Sequence, residues 1–425
     1  MAKKTVGGWE MKEKHILLTE LLNASIRGVS FEISKYGKKP IEWGEIYSEA
    51  IAHQVHTLIF PVVKKIDHEF GPDKQLMSIW NIAVMSCGIQ MISDEIWIGN
   101  VIDAFNAAGI MSIVLKGMAI NKCYPYPELR TMGDADILVN EYDMDRATQI
   151  LENMGYIAEK DKKTKHVEFF KKNFLSIELH RLLVDYDFIK NKENFHKEIW
   201  KDPVEIELGA VKAYSLSWDM QIIHLCMHMA SHISYGGFGL RQLADFVMVV
   251  ETKRDQLNWN IIREKSIEYG ISQFLYAIYA VCNRLFQIDI PPEIISRNEN
   301  NDEKVQNLIE DILLGGNFGK QDIKRSAANV IINNTDKGEF KNLKNRFYRY
   351  IHILFPNRDL MSRRYKYIYV KKSPIFLPLA WIHRIAYGIK RKDFGIEDKK
   401  AIFKNGELDD IAIERNSLLE WLGIR

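Results

Sequence analysis

Leu115-Lys116-Gly117 and, after a short gap, Arg130-Thr131-Met132-Gly133-Asp134-Ala135-Asp136-Ile137-Leu138-Val139 are the stretches on which the reading of this chain turns. Two aspartates one residue apart, running into three apolar residues, mark the start of a strand. Side chains at i and i+2 of a strand share a face, so Asp134 and Asp136 project together. Paired carboxylates repel unless a cation joins them, and an all-oxygen site suits Mg²⁺ or Mn²⁺. A solvated strand end produces the same pair, so the neighbours decide. Upstream, residues 111–115 read as a short buried strand that stops at Lys116-Gly117, where a glycine lets the backbone come close to a phosphate. Residues 118–123 then read as the first turns of a helix, whose free N–H groups favour an anion. Downstream, Phe174-Leu175-Ser176-Ile177-Glu178-Leu179-His180 alternates, which puts Ser176, Glu178 and His180 on one face and makes Glu178 a candidate third carboxylate.

Strand, Lys-Gly turn, helix, Arg-x-x-Gly-Asp-x-Asp strand, amphipathic helix, then a strand with an acid two residues before a histidine resembles the polymerase-β-like nucleotidyltransferase superfamily. More narrowly, it resembles the bacterial group described as uncharacterised, family-5 nucleotidyltransferases. The 43–60 helix, the His228 helix followed by Leu240-Arg241-Gln242-Leu243-Ala244-Asp245, and the 354–384 segment resemble that group too. The resemblance implies an α+β fold with a small polymerase-β-like mixed sheet, flanked by helical regions at both ends. It also implies transfer of a nucleoside monophosphate from an NTP to an acceptor hydroxyl, with pyrophosphate released. Asp134, Asp136 and Glu178 would hold Mg²⁺ or Mn²⁺ and form the catalytic set. The wider superfamily generally has Gly-Ser or Gly-Gly after the first strand, whereas this chain has Lys116-Gly117-Met118. That removes a hydroxyl from the triphosphate and leaves Lys116 either as its replacement or as an exposed strand end.

Arg130, four residues before Asp134, can reach a β- or γ-phosphate or can pair with Glu128 or another acid. Gly133 and His180 complete the substrate side, His180 by orienting substrate or by packing. His224, His228 and His232 lie one helical turn apart, but a zinc site needs a further ligand that neither a Cys pairing nor a His-Glu-x-x-His motif supplies. The expected arrangement is a polar seam of His228, Arg241 and Asp245 that either faces the cleft or ties two helices together.

With 425 residues, 47% of them hydrophobic, the chain can bury a large core. A net charge of +2 gives no general argument for nucleic acid as partner. Cys87, Cys123, Cys226 and Cys282 lack Cys-x-x-Cys spacing, which suits a reducing cytoplasm. No apolar run follows the basic N-terminus, and the longest apolar candidate, residues 374–389, is too broken to span a membrane. Four regions are expected: an N-terminal helical region 1–93, the nucleotidyltransferase core 94–190, a helical domain 191–335 and a basic, aromatic tail 336–425. Helical patterns appear at 11–26, 43–63 and 74–92, the last apolar nearly all round and therefore expected to be buried. Residues 341–372 hold ten Lys or Arg against Asp359 alone, interleaved with aromatics. Such a tail grips a nucleic-acid backbone or an anionic membrane, or packs its rings and solvates its charges; the last is favoured. The acceptor is open among a small molecule, a protein and RNA. The rival to an enzyme is a catalytically inactive nucleotide-binding or nucleic-acid-interacting protein on the same fold.

Overall fold

The computed structural model describes residues 12–37, 40–159, 166–295, 301–317, 373–390 and 407–425, with isolated positions between 325 and 370. The chain enters through α1 (Glu13–Ile26), α2 (Trp43–Ala52), α3 (His56–Val63) and the 34-residue α4 (Lys74–Ala107). The expected 43–63 helix is two helices, because the chain turns through Gln54 with a left-handed φ of 56°. The expected boundary at 93/94 falls inside α4. Nothing there stops a helix, and Gln90 Nε2 donates to Asp94 Oδ1 at 2.8 Å across one turn.

Strand β1 (Ser112–Val114) leads through the short α5 (Lys116–Ile120) to β2 (Asp134–Val139), α6 (Met144–Asn153), β3 (Ile157–Ala158), β4 (His166–Phe170) and β5 (Ser176–His180). After α7 (Lys192–Glu198) comes a hairpin, β6 (Val204–Leu208) and β7 (Val211–Ser215). The helices α8 (Trp218–Tyr235), α9 (Leu240–Thr252), α10 (Trp259–Glu268), α11 (Ser272–Phe286) and α12 (Asp302–Gly315) follow. Near the C-terminus lie α13 (Leu377–Lys390) and α14 (Glu407–Trp421).

The strands form one mixed sheet in the order β3-β4-β5-β2-β1-β7-β6. The chain is therefore an α+β protein with helical flanks, as the sequence led us to expect. The β6–β7 hairpin is an addition to the 191–335 region, which was expected to be mostly helical and whose described residues otherwise form helices. Val204-Glu205-Ile206-Glu207-Leu208 alternates, and Gly209, at a left-handed φ of 56°, makes the tight turn. Strand β7 extends the sheet by pairing parallel to β1.

Alternation along β2 divides the sheet into two faces. Ala135, Ile137 and Val139 join Ile98, Phe105, Ala147 and Leu151 in an apolar layer beneath α4 and α6. Leu138 belongs instead to the larger core formed with the flanking helices. Burying Ile137 and Val139 contributes about 1.5–3 kcal/mol each, which pins the register that presents Asp134 and Asp136 to the other side.

Helix α4 is not the buried element its all-round apolarity suggested. Trp80, Met91, Asp94 and Ile98 are buried, but Ile79, Ile82, Met85, Ile89, Ile92 and Ile96 face solvent. Among the described residues α4, rather than residues 374–389, is long and apolar enough by length and composition to cross a bilayer. Most of the basic, aromatic 341–372 tail lies outside the described residues.

Candidate active site

Strands β2 and β5 run parallel with Asp134 opposite Ser176 and Asp136 opposite Glu178. Both carboxylate-bearing positions of β2 therefore share a face with Glu178 and His180, and the carboxylates expected to act together are neighbours. His180 Nε2 lies 2.9 Å from Asp136 Oδ1 and 3.2 Å from Glu178 Oε2. Lys116 Nζ lies 2.7 Å from the same Asp136 oxygen.

The turn that delivers Lys116 departs from expectation in one detail. Helix α5 begins at Lys116, and the left-handed residue is Lys116 itself, at φ 45°. A non-glycine residue in that conformation costs about 1–2 kcal/mol. Gly117 is needed for a different reason: a Cβ there would stand 2.8 Å from Met132 Sδ and 2.9 Å from Arg130 Nη1. A five-residue helix has only a weak dipole, so side chains carry most of the positive potential here.

Burial alone would raise the Asp136 pKa, but Lys116 and the His180 hydrogen bond hold it well below the usual carboxylate range. Burial would likewise lower Lys116; Asp136 and then Asp134 outweigh it and raise that ammonium instead. Burial would lower His180 as well, but its hydrogen bonds to Asp136 and Glu178 push its pKa up. Glu178, which burial would raise, is lowered by the His180 hydrogen bond. Asp134 is different: loss of hydration first and the Asp136 charge second push its pKa up.

Opposite the strands stand α8 and α9, and the pocket between is lined by Lys116, Gly133, Asp134 and Asp136 on one side and His228, Arg241 and Asp245 on the other. Arg130 enters the strand side but bonds across it. Its Nε and Nη2 donate to Asp245 Oδ1 and Oδ2 at 2.7 and 2.6 Å, and Tyr124 donates to Oδ1 at 2.6 Å. The acid partner anticipated for Arg130 is thus Asp245, not Glu128. Both Asp245 oxygens are engaged, so that residue supports Arg130.

Two cationic N–H groups remain over. Arg130 Nη1 and Arg241 Nε are buried without a hydrogen-bond partner. Arg241 is otherwise tied by Nη1 to the Thr131 carbonyl at 2.8 Å. Burial, then the neighbouring Arg130, lower its pKa to about 10. His228 lies at the wall with Nε2 2.9 Å from Nε2 of His232, and burial, then Lys116, lower its pKa well below the ordinary value.

Gly133 leaves open space, since a Cβ there would meet nothing within 4 Å. His166 is the site residue that sequence reading missed. It pairs across strands with His180, and His166, Glu178 and His180 bring donor atoms within 4.8 Å of one another. The signal was present in the alternation of His166-Val167-Glu168, but the register of β4 on β5 was not readable.

An α+β sheet presenting acidic strand residues to a cleft that also holds two guanidinium groups defines a protein with a mixed-charge pocket. Within that class, the chain belongs to the family described as uncharacterised nucleotidyltransferase, whose pattern matches residues 39–287 and so takes in the sheet and both pocket walls. Membership carries nucleotidyl transfer as the general chemistry and a nucleotide as substrate. No curated protein and no solved structure matches the chain.

Proposed function

We propose that this protein is a metal-dependent nucleotidyltransferase that moves a nucleoside monophosphate from an NTP to an acceptor hydroxyl and releases pyrophosphate. The observation that carries the reading is the placement of Asp134, Asp136 and Glu178 on one face of the sheet, in the same site as the partnerless N–H groups of Arg130, on the strand side, and Arg241, on the facing helix. The donor chemistry fits a hard divalent cation: three carboxylates from adjacent strands, with Asp136 and Glu178 held ionised. Asp134, Asp136 and Glu178 would hold Mg²⁺ or Mn²⁺, which when bound supplies charge stabilisation at the attacking and leaving oxygens.

Arg130 and Arg241 offer preorganised donors to the triphosphate oxygens, and Asp245 with Tyr124 fixes the Arg130 plane. Gly133 leaves room for the ligand backbone at the strand entrance. Lys116 neutralises Asp136 and stands beside the path of the phosphates, taking the place of the missing hydroxyl. Against the effect of burial, the His180 hydrogen bond lowers the Glu178 pKa, in keeping with a carboxylate that holds a cation. His180 orients both carboxylates through Nε2. The β1–turn–β2 arrangement with β5 alongside supports placing this family among polymerase-β-like enzymes.

The test is pyrophosphate release from each of the four NTPs with Mg²⁺ or Mn²⁺, with cell extract, RNA or protein as acceptor source. Asp134→Asn and Glu178→Gln should each lose turnover and keep the wild-type circular dichroism; undiminished turnover in both overturns the reading. A second reading, nucleotide binding without transfer, is favoured by the Lys116–Asp136 ion pair, which gives the carboxylate a resident cation. It predicts NTP affinity that chelation of divalent ions leaves unchanged, and no pyrophosphate.

A further inference from the structure

Helix α4 carries an apolar ridge that the nucleotide site does not use. Ile82, Met85, Ile89, Ile92 and Ile96 recur at alternating steps of three and four, and each is more than half exposed, Ile89 most of all at 69%. A three-four repeat is the spacing of a seam that packs against another helix. A solvent-facing helix surface ordinarily carries charge, yet residues 75–93 contain no Asp, Glu, Lys, Arg or His. The ridge borders are Ser78, Asn81, Ser86, Gln90 and Ser93, small or neutral residues that let a partner approach.

The same borders argue against a lipid surface, because a helix lying on anionic lipid carries Lys or Arg along its edges. A bilayer crossing fits no better. The opposite side of α4 is packed into the fold through Trp80, Met91, Asp94 and Ile98, and Cys87 Sγ lies 3.7 Å from the Glu128 carbonyl.

The ridge is balanced about Ile89, with Ile82 one heptad before it and Ile96 one heptad after. A two-fold axis through Ile89 would set Ile82 of each copy against Ile96 of the other, the self-complementary pattern of an isologous interface. Covering the exposed ridge on both copies removes on the order of 1,200 Å² from water, within the range of specific protein interfaces. We infer that the ridge is a homodimer interface in which a second copy of this chain packs α4 against α4 with Ile89 at the centre. The face of α4 turned away from the seam contacts the Glu128 segment that leads into Arg130, so pairing would bring the two pockets into one assembly.

The test measures mass in solution by light scattering and sedimentation on the full chain. Wild type is expected to be a dimer at micromolar concentration, and Ile89→Cys should form an intermolecular disulfide on mild oxidation. Ile89→Glu should weaken pairing by about 100-fold or more and run as a monomer with unchanged circular dichroism. Ile157→Glu, at an exposed position on β3, should remain dimeric. A wild-type monomer overturns the inference, whether or not it sediments with vesicles of equal phosphatidylcholine and phosphatidylglycerol. A dimer indifferent to both Ile89→Glu and Ile92→Glu overturns it as well.

Discussion

The two walls of the pocket handle charge in opposite ways. On the strand wall, Asp136, Glu178, His180 and Lys116 answer one another within hydrogen-bonding distance. On the helix wall, Asp245 is saturated by Arg130 and Tyr124 reaching across to it, yet Arg241 Nε there and Arg130 Nη1 beside it are left buried and without acceptors. A buried donor with no acceptor costs about 1–3 kcal/mol, which is why the function proposed above gives these two N–H groups the triphosphate.

The largest effect should come from breaking the strand wall. Asp136→Asn removes the shared partner of Lys116 and His180 and should lower turnover by roughly 1,000-fold, measured as pyrophosphate release at saturating NTP. Breaking the helix wall at its support should instead damage the fold: Asp245→Ala strands the Arg130 guanidinium and should cost about 3 kcal/mol in urea unfolding. Retained stability there would mean that Arg130 finds another acid.

The same wall depends on pH through His53. Its Nδ1 accepts from the Leu240 amide at the start of α9, the helix that carries Arg241 and Asp245. Burial lowers the His53 pKa from 6.5 to about 4. Below pH 6.5 the unfolded chain takes up this proton more readily than the folded one, so stability is complete above 6.5 and falls as the pH drops toward 4. Wild type should lose about 3 kcal/mol more than His53→Gln between pH 7 and pH 4, by urea unfolding at each pH. The smallest effect sharpens the comparison: Arg241→Met should raise the NTP KM roughly 10-fold with kcat less affected, and equal loss in both would place Arg241 in transition-state stabilisation.

What the sequence made legible was what is local. Asp134 and Asp136 before Ile137-Leu138-Val139, and the alternation through Glu178 and His180, specify strands and faces within a few residues. Which residues of β2 and β5 stand opposite one another was not local, because a slip of two residues keeps the same face buried. The Arg130–Asp245 pair was not legible as such, since its partners lie 115 positions apart and several acids compete. Helix α4 misled for another reason. An all-round apolar pattern states that a helix avoids water, but not whether its own fold or another molecule provides the cover. The β6–β7 hairpin was missed because its alternation covers only five residues and lies among helices.

The continuity of α4 bears on how this molecule can be taken apart. At 34 residues it is a rod of about 50 Å. Its first half lies beside the α3 bundle and its second half supplies Ile98, Val101 and Phe105 as the floor beneath the sheet. A fragment begun at residue 94 would sever that rod and leave the floor hanging from a frayed stub. The smallest autonomous piece containing the sheet must keep the whole strut, so deletion mapping from the N-terminus should show an abrupt loss of solubility once the cut passes Lys74.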